Sequence, residues 1–366
     1  MGLTSGLTTL ALRIRGANIG HGVTVGPGCR IEAQHIEIGD NVRIGQDVRL
    51  KAERLVIESD TYIGDGCRIQ GQMVHLGYNC VVFPQATLWS LTHLRLGDHS
   101  KVSREAVLKA GSFSTGSEFW VNRRAEIGGG GWRKGEGCFQ AGDRCHIGRN
   151  THINTAEAVT LGDDTAVGMD CTIATHAHWQ PVDDGFMSTR GPVALGANVA
   201  VYSRSIVSPG VTIADGGTVA GGSVVTHDVP ERGLVGGAPS RLIRIQDRPS
   251  SPARLRIQAV QAFVRERWPD AHPGADGAGH YRLRAPNAVC DLDLNEDQVL
   301  SLVSRQPETV RTCWFDFEKR VLSGERSDLS EALRNHLFSY GIRFRYAGYR
   351  RSLLSYEGLT ASGLED

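Results

Sequence analysis

Most of this chain repeats an aliphatic residue every six positions, and that spacing restricts the folds it can adopt. A helix with 3.6 residues per turn does not produce a six-residue step, and neither does the two-residue alternation of an ordinary strand. The positions form triplets that begin every 19 or 20 residues: Ile19, Val25, Ile31; Ile38, Ile44, Leu50; Ile57, Ile63, Ile69; Leu76, Val82, Leu88; Leu96, Val102, Leu108. A repeat of this length is typical of solenoids.

Small residues at fixed places in each hexad indicate how the repeat closes on itself. Glycine often follows the aliphatic residue, as at Gly20 and Gly26, and the chain holds 45 glycines. A small residue often stands four positions after the aliphatic one, and five cysteines occupy this place: Cys29, Cys67, Cys80, Cys145 and Cys171. We interpret these thiols as small core residues. The pattern predicts a triangular prism of short parallel strands, with about ten coils over residues 1–247.

Two interruptions break the repeat. The first is a glycine-rich insertion over 128–140, after which the hexads resume at Ala141. The second is a polar loop that carries His176 and His178 ahead of the last units, which start at Leu195 and Ile213. Loops on a rigid scaffold often carry function, so the histidine loop is the first place to look for chemistry.

Composition excludes several classes of function. The 40 basic residues equal the 40 acidic ones, so no net field attracts nucleic acid. No run approaches the roughly 20 apolar residues of a membrane span. The N-terminal residues lack the basic lead and apolar core of a signal peptide. None of the cysteines is paired in a C-x-x-C motif, and we therefore expect free thiols in the cytoplasm.

The composition changes after a linker at 248–252, and residues 253–366 predict a separate α+β domain. Helical periodicity predicts helices over 255–268, 296–304 and 329–340, the first of them starting near Pro252. Two-residue alternation predicts strands over 281–292, over 309–324 and at 343–346.

The histidines do not predict a metal site. His93 and His99 are six residues apart, as are His146 and His152. In a prism with six residues per face, this spacing turns the second side chain onto the next face, away from the first. We expect no metal centre.

The hexads resemble those of the hexapeptide-repeat acyltransferases, which fold as a left-handed parallel β-helix. The resemblance covers about residues 15–245 and is most specific in THAHW, RGPVALG and SPGVTIADGGTVAGGSVVTHDVPERGLVGGAPSRLIR. The sequence looks most like the maltose and galactoside branch of the sugar O-acetyltransferases. That family implies acetyl-CoA as co-substrate, a saccharide or other small acceptor, and a homotrimer with its active sites between prisms.

The resemblance also implies roles for individual residues. His176 matches the family's catalytic base, and Asn154, in a strand we place two coils earlier, matches an asparagine that helps to hold the acyl donor or acceptor near that histidine. His178 is a candidate to orient the base or to contact the acceptor, and Asp183 and Asp184 are candidates to bind sugar hydroxyls or to stabilise the imidazolium. The candidate coenzyme A contacts lie on two turns and the final segment: Tyr202, Ser203, Arg204, Ala220, Gly221, Gly222, Ser223, Arg241 and Arg244.

These residues suit acyl transfer from a thioester to a hydroxyl. A histidine that titrates near neutrality can take the proton from the attacking hydroxyl. Backbone amides at the 220–223 turn are candidates to stabilise the oxyanion. Two alternatives stay open: an N-acetyltransferase acting on an amino sugar or xenobiotic, and a non-catalytic β-helix scaffold.

Overall fold

A computed structural model describes residues 16–130, 137–177, 180–250, 252–268, 280–285, 288–294, 299–306, 309–325 and 327–346. The chain divides into two compact units, with the boundary between Asp247 and Arg248. The first unit is a parallel β-solenoid with three faces, as the hexads predict.

Short strands stack in register on each face of the solenoid. The first face has ten: Asn18–Ile19, His35–Ile38, Arg54–Ile57, Met73–Leu76, His93–Leu96, Ser112–Thr115, Cys138–Ala141, Val159–Leu161, Val193–Leu195 and Thr212–Ile213. The second has twelve: Thr24–Val25, Arg43–Ile44, Tyr62–Ile63, Val81–Val82, Lys101–Val102, Trp120–Val121, His146–Ile147, Ala166–Val167, Ala200–Val201, Thr218–Val219, Gly233–Gly237 and Ser240–Ile245. The third has ten: Arg30–Glu32, Arg49–Lys51, Arg68–Gln70, Thr87–Ser90, Val107–Ala110, Glu126–Gly128, His152–Asn154, Thr172–Ile173, Ile206–Val207 and Val224–Val225.

The aliphatic column predicted from the hexads forms the interior of the prism. Ile44, Ile63 and Val82 stack in register on the second face, and each is no more than 3% exposed. Aromatic rings fill the interior near the middle of the stack, where Phe113, Phe119 and Phe139 are fully buried. The rings of Phe113 and Phe139 stack with their centroids 4.9 Å apart. The hexad pattern alone does not reveal this aromatic layer.

Close approach between coils explains many of the glycines. A Cβ on Gly26 would lie 2.5 Å from the backbone carbonyl carbon of Gly45 in the next coil. No real Cβ tolerates that distance, so the glycine lets adjacent turns stack at the strand spacing of about 4.8 Å. At other corners, residues with side chains adopt left-handed backbone, for example Asn41 with φ 56° and Arg144 with φ 57°.

The cysteines in the small-residue position behave as core residues. Cys67, Cys80 and Cys145 are fully buried, and Cys171 is nearly so, whereas Cys29 is half-buried. The Cys67 thiol donates to the carbonyl of Phe83 at 3.1 Å, and burial raises the pKa of Cys67 to about 12. Such a thiol stays protonated at neutral pH and is a poor nucleophile.

The second unit contains a six-stranded sheet and two helices. Helix α1 spans Pro252–Arg267, and helix α2 spans Asp328–Ser339 with a capping box at Ser327. The strands are His280–Ala285, Ala288–Leu294, Val299–Gln306, Thr309–Asp316, Val321–Gly324 and Arg345–Tyr346. Phe263, Phe315 and Leu337 belong to a separate core in this unit. Neither helix of the described ranges is long and apolar enough to cross a membrane.

The helix predicted over 296–304 is wrong wherever the structure describes that range. Residues 299–304 belong to the strand Val299–Gln306, which pairs antiparallel with its neighbours on both sides. Leu300 and Leu302 are buried, which gives the strand a core face with period two.

Candidate active site

The histidine loop leaves the prism at the edge between the third and first faces. The last strand before it is Thr172–Ile173, and the chain rejoins the prism at Val193–Leu195. The two ends of the loop pair as a short antiparallel ladder, His176–Ala177 with Thr189–Arg190, in which His176 lies opposite Arg190. The backbone amide of Gly191 donates to the carbonyl of Thr175 at 3.0 Å. A regular scaffold therefore fixes both ends of the loop.

Asn154 lies directly beneath this loop. Its strand, His152–Asn154, pairs with Thr172–Ile173, so Asn154 is one coil away from the histidine loop, and the two-coil separation expected from the sequence is wrong. Only 8% of Asn154 is exposed. Its Nδ2 donates to the carbonyl of Gly129 at 2.6 Å, and its Oδ1 accepts from the amide of Ala156 at 2.9 Å. These two backbone partners fix the orientation of the amide group.

The side chain of His176 contacts the Asn154 oxygen. The distance between His176 Nδ1 and Asn154 Oδ1 is 3.1 Å. An amide oxygen can only accept, so Nδ1 carries the proton in this contact. In the neutral imidazole Nε2 then keeps its lone pair, which is the form that a general base requires.

Thr175 is a further member of the site that the sequence analysis missed. Its side chain is fully buried, and its hydroxyl donates to Asn154 Oδ1 at 2.5 Å. The same hydroxyl oxygen accepts from the amide of Glu157 at 3.2 Å. Its position next to His176 in the sequence was the only available signal, because its partners are 18 and 21 residues away.

The structure does not bring the two aspartates to His176. Asp183 and Asp184 lie in the 3₁₀ turn Val182–Asp184, in the exposed outer part of the loop. Within the described residues, no hydrogen bond or ion pair joins either carboxylate to His176. His178 lies outside the described residues.

The candidate coenzyme A turns lie at a different edge of the prism, between the second and third faces. Residues 202–204 follow the strand Ala200–Val201, and residues 220–223 follow Thr218–Val219 one coil further on. The turns stack directly, because Gly222 donates its amide to the carbonyl of Ser203 at 3.0 Å. Tyr202 is 58% exposed.

The final hairpin extends this stack. Arg241 pairs with Gly236 in the antiparallel ladder, and a Cβ on Gly236 would contact Ala220 at 3.3 Å. Arg244 pairs with Leu234 in the same ladder. Both arginines belong to the exposed strand Ser240–Ile245. The structure therefore stacks the two candidate turns along one edge, with Arg241 beside that edge and Arg244 further along the second face, and it places His176 and Asn154 at another edge.

Most amides of the 220–223 turn are already used within the prism. Ala220 donates to Val235 O at 2.9 Å, Gly222 to Ser203 O at 3.0 Å, and Ser223 to the hydroxyl of Ser205 at 3.4 Å. In the part of the chain that the structure describes, Gly221 has the only amide of the turn without an acceptor. Because the stacked coils use the other donors, Gly221 is the one amide of this turn that remains a candidate oxyanion donor among the described residues.

His146 and His152 lie on separate faces of the prism. His146 belongs to the second face and His152 to the third. His146 Nε2 contacts the Asn122 side chain at 3.0 Å, and its ring meets Trp120 edge-on. Across the described ranges, no group of three or more His, Cys, Asp or Glu side chains could hold a metal ion.

Comparison with known proteins assigns the chain to a family. The profile of the hexapeptide repeat of succinyl-transferase matches residues 192–227. Galactoside O-acetyltransferase of Escherichia coli is 34% identical over 185 residues, covering 46% of this chain and 84% of that protein. The putative lipopolysaccharide biosynthesis O-acetyl transferase WbbJ of Escherichia coli is 27% identical, covering 30% of this chain and 62% of that protein.

Other matches are shorter or weaker. The putative acetyltransferase YvoF of Bacillus subtilis is 33% identical over 87 residues, and the chain spans 48% of its length. A hexapeptide-repeat acetyltransferase of Vibrio cholerae, solved with acetyl coenzyme A, is 25% identical over 42% of this chain and 71% of that chain. Its TM-score of 0.27 is too low to support an argument.

The three-faced solenoid and the histidine loop at its edge define a hexapeptide-repeat protein. The match to galactoside O-acetyltransferase, at 34% identity over 84% of that protein, identifies the family within this class. The chain belongs to the hexapeptide-repeat acyltransferase family, and it is an acetyltransferase of that family.

Proposed function

We propose that this protein transfers an acetyl group from acetyl-CoA to a hydroxyl of a carbohydrate or polysaccharide precursor, with His176 as the general base. The contact between His176 Nδ1 and Asn154 Oδ1 carries the proposal, because it selects the tautomer with an unprotonated Nε2. The similarity to galactoside O-acetyltransferase supports a sugar as the acceptor.

The reaction follows from that tautomer. The acceptor hydroxyl attacks the thioester carbon and forms a carbon–oxygen bond, while its proton moves to His176 Nε2. When the carbon–sulfur bond breaks, the same imidazole returns the proton to the departing thiolate of coenzyme A. The products are the acetyl ester and the free thiol, so atoms and electrons balance without a metal or a redox partner.

The separation of the two edges supports an active site shared between copies. His176 and the 202–204 and 220–223 turns lie at opposite ends of the third face of one prism. A neighbouring copy can bring its turn edge to the histidine edge of the first. We therefore propose a homotrimer, in which three such junctions close around one axis.

Other candidate contacts fit this arrangement. Tyr202, Ser203, Arg204 and the 220–223 turn would hold the pantetheine arm, and Arg241 and Arg244 would meet the nucleotide phosphates. Asp183 and Asp184 would contact the acceptor from the outer part of the loop, and His178 is a further candidate contact. Free cysteines and acetyl-CoA as donor agree with a place in the cytoplasm.

The test measures acetyl transfer from acetyl-CoA to a panel of sugars. Its two readouts are the release of the coenzyme A thiol and the mass of the acetylated product. His176→Ala should lower kcat by about 10²–10⁴-fold, the usual contribution of general base catalysis, and keep its affinity for coenzyme A. The matched control is His35→Ala, since His35 is exposed on the first face, far along the chain from the loop.

The outcomes separate the alternatives. If the protein acetylates amino sugars at nitrogen and no sugar at a hydroxyl, the proposed O-acetyltransferase activity is wrong and the N-acetyltransferase alternative is right. A wild-type protein that does not bind coenzyme A would overturn the enzymatic proposal and favour a scaffold. An unchanged kcat in His176→Ala would remove His176 from the mechanism.

A further inference from the structure

An ion pair clamps the histidine loop to the coil beneath it. Arg190 Nε donates to Glu157 Oε1, and Arg190 Nη2 donates to the carbonyl of Ala156 at 3.4 Å. The Glu157 carboxylate belongs to the prism, while Arg190 belongs to the returning arm of the loop, opposite His176. The pair is partly exposed, with 43% of the Arg190 side chain and 26% of the Glu157 side chain accessible.

Residues 154–157 form one platform that holds both arms of the loop. Asn154 Oδ1 accepts from Thr175 and contacts His176 on the outgoing arm. The Glu157 amide donates to the Thr175 hydroxyl at 3.2 Å. The Glu157 carboxylate and the Ala156 carbonyl hold Arg190 on the returning arm. One four-residue segment therefore fixes the imidazole and the residue opposite it.

We infer that the Glu157–Arg190 ion pair is a positioning device that holds His176 on Asn154 in the tautomer with an unprotonated Nε2. The inference rests on the proposed function, since it concerns how the proposed base is kept ready. Arg190 and Glu157 are positioning residues, because they act through the loop and the platform.

The geometry explains why the loop needs this clamp. The paired part is only two residues long on each arm, and a two-stranded ladder of this kind is marginally stable by itself. The outer part, from 180 to 190, is exposed. Next to this ladder, the Gly191 amide bond to Thr175 O joins the returning arm to the outgoing arm, whereas the Arg190 side chain joins it to the platform. A shift of about 1 Å in a catalytic group can cost about 10²-fold in rate.

Surface ion pairs generally stabilise proteins weakly, so the Glu157–Arg190 pair should contribute little to global stability. Its effect should appear in the placement of His176. That difference separates a positioning role from a merely structural one.

The experiment compares Arg190→Met, Arg190→Lys, Glu157→Gln and the Arg190→Met/Glu157→Gln double variant with wild type. Arg190→Met and Glu157→Gln should each lower kcat by about 10- to 100-fold and leave the KM for acetyl-CoA within about twofold. Arg190→Lys keeps the charge and should recover a large part of the rate. The double variant should be no slower than the worse single variant, because both remove one interaction.

The matched control is Arg54→Met. Arg54 and Glu37 form an ion pair at 2.7 Å between neighbouring coils of the first face, with 55% and 47% of their side chains exposed. This variant removes a similar coil-to-coil pair away from the histidine edge, and it should leave kcat unchanged. Thermal unfolding midpoints of Arg54→Met and Arg190→Met should agree within about 2 °C.

A second measurement does not depend on activity. Nitrogen-15 NMR of the imidazoles, with the His176 signals identified by their loss in His176→Ala, reports which ring nitrogen is protonated. Wild type should show the tautomer protonated at Nδ1, and Arg190→Met should show a mixture of tautomers. Arg54→Met should match wild type.

These results keep the two proposals separate. If wild type acetylates no acceptor, the proposed function fails, and the NMR comparison still tests the clamp. The positioning role is overturned if Arg190→Met keeps the wild-type tautomer and kcat. It is also overturned if the double variant loses kcat by the product of the two single-variant losses.

Discussion

At the residue scale, Asn154 connects the fold to the chemistry. Its amide is held by Gly129 and Ala156, and its oxygen orients the His176 ring. The family resemblance predicted Asn154 and His176 as site residues, but the sequence could not predict the contact between their side chains. Thr175, Glu157 and Arg190 went unnoticed because each meets its partner across a distance of 18 to 33 residues in the chain.

Removing or charging the Asn154 amide should change catalysis in two distinct ways. Asn154→Ala removes the acceptor for His176 Nδ1–H, and kcat should fall by about 10²-fold. Asn154→Asp keeps an acceptor but adds a negative charge that favours the imidazolium. The acid limb of kcat/KM against pH should then move upward by about one unit. An unmoved limb in Asn154→Asp would contradict the contact. Coenzyme A affinity should stay constant in both variants.

The buried cysteines predict a loss of stability in alkali. The pKa of Cys67 is near 9.0 when it is exposed by unfolding and about 12 in the fold, because burial disfavours the thiolate. Between these values the folded state binds more protons than the unfolded state, so the free energy of unfolding falls as pH rises from about 9 to about 12. Below pH 9 the contribution is fully present.

Denaturant unfolding at several pH values measures this effect. Cys67→Ala should show a shallower fall above pH 9 than wild type, and the two slopes should coincide below it. Cysteine labelling in the native state should leave Cys67 unmodified at neutral pH. Equal slopes above pH 9 would contradict a raised thiol pKa.

At the scale of single elements, the spacing between coils limits what each hexad can contain. Gly26 faces the backbone of the next coil so closely that a methyl group has no room. Overpacking of this kind costs about 1–3 kcal/mol, and stacked coils have little freedom to separate. The position of the glycine and the aliphatic residue in each hexad therefore fixes how one coil aligns with the next. For this reason the strands and the interior column could be predicted from the sequence.

Gly26→Ala should lower the free energy of unfolding by about 2 kcal/mol or more. The control is Gly71→Ala, where the new Cβ would lie 3.3 Å from a Val74 methyl group and a small side-chain shift can relieve it. Chemical denaturation of both variants provides the comparison. Similar losses at the two positions would show that coil spacing is not the cause.

Elements of the second unit were harder to predict. The helices over 252–267 and 328–339 carry capping and periodic signals, and both are present. The range 296–304 was predicted as helix, yet its described part is a strand in the middle of a sheet. Over so short a span, the apolar pattern of residues 299–302 fits both the helical period of 3.6 and the strand period of two. Pairing with two neighbouring strands makes this segment a strand.

At the scale of the whole molecule, the proposed active site needs two edges that one solenoid cannot bring together. This arrangement predicts complementation between inactive variants. His176→Ala removes the base from the histidine edge, and Gly221→Trp fills the exposed turn edge, where the glycine backbone is accessible. Each homo-oligomer should be inactive.

Mixed oligomers should recover activity. In trimers formed from equal amounts of the two variants, about one junction in four joins an intact histidine edge to an intact turn edge, which should give about a quarter of the wild-type rate. Co-expression with two affinity tags and an acetyl-transfer assay measures it. The control is a mixture of His176→Ala with Asn154→Ala, which share an edge and should give no recovery. A mixture as inactive as its components would contradict a shared site.

The two interruptions of the hexad repeat fall at the same edge of the prism. One follows Gly128 and ends at Cys138, and the other runs from 174 to 192. In both cases the strands before and after stay in register with their neighbours. The sequence between these strands can therefore change while the coils on either side keep their register.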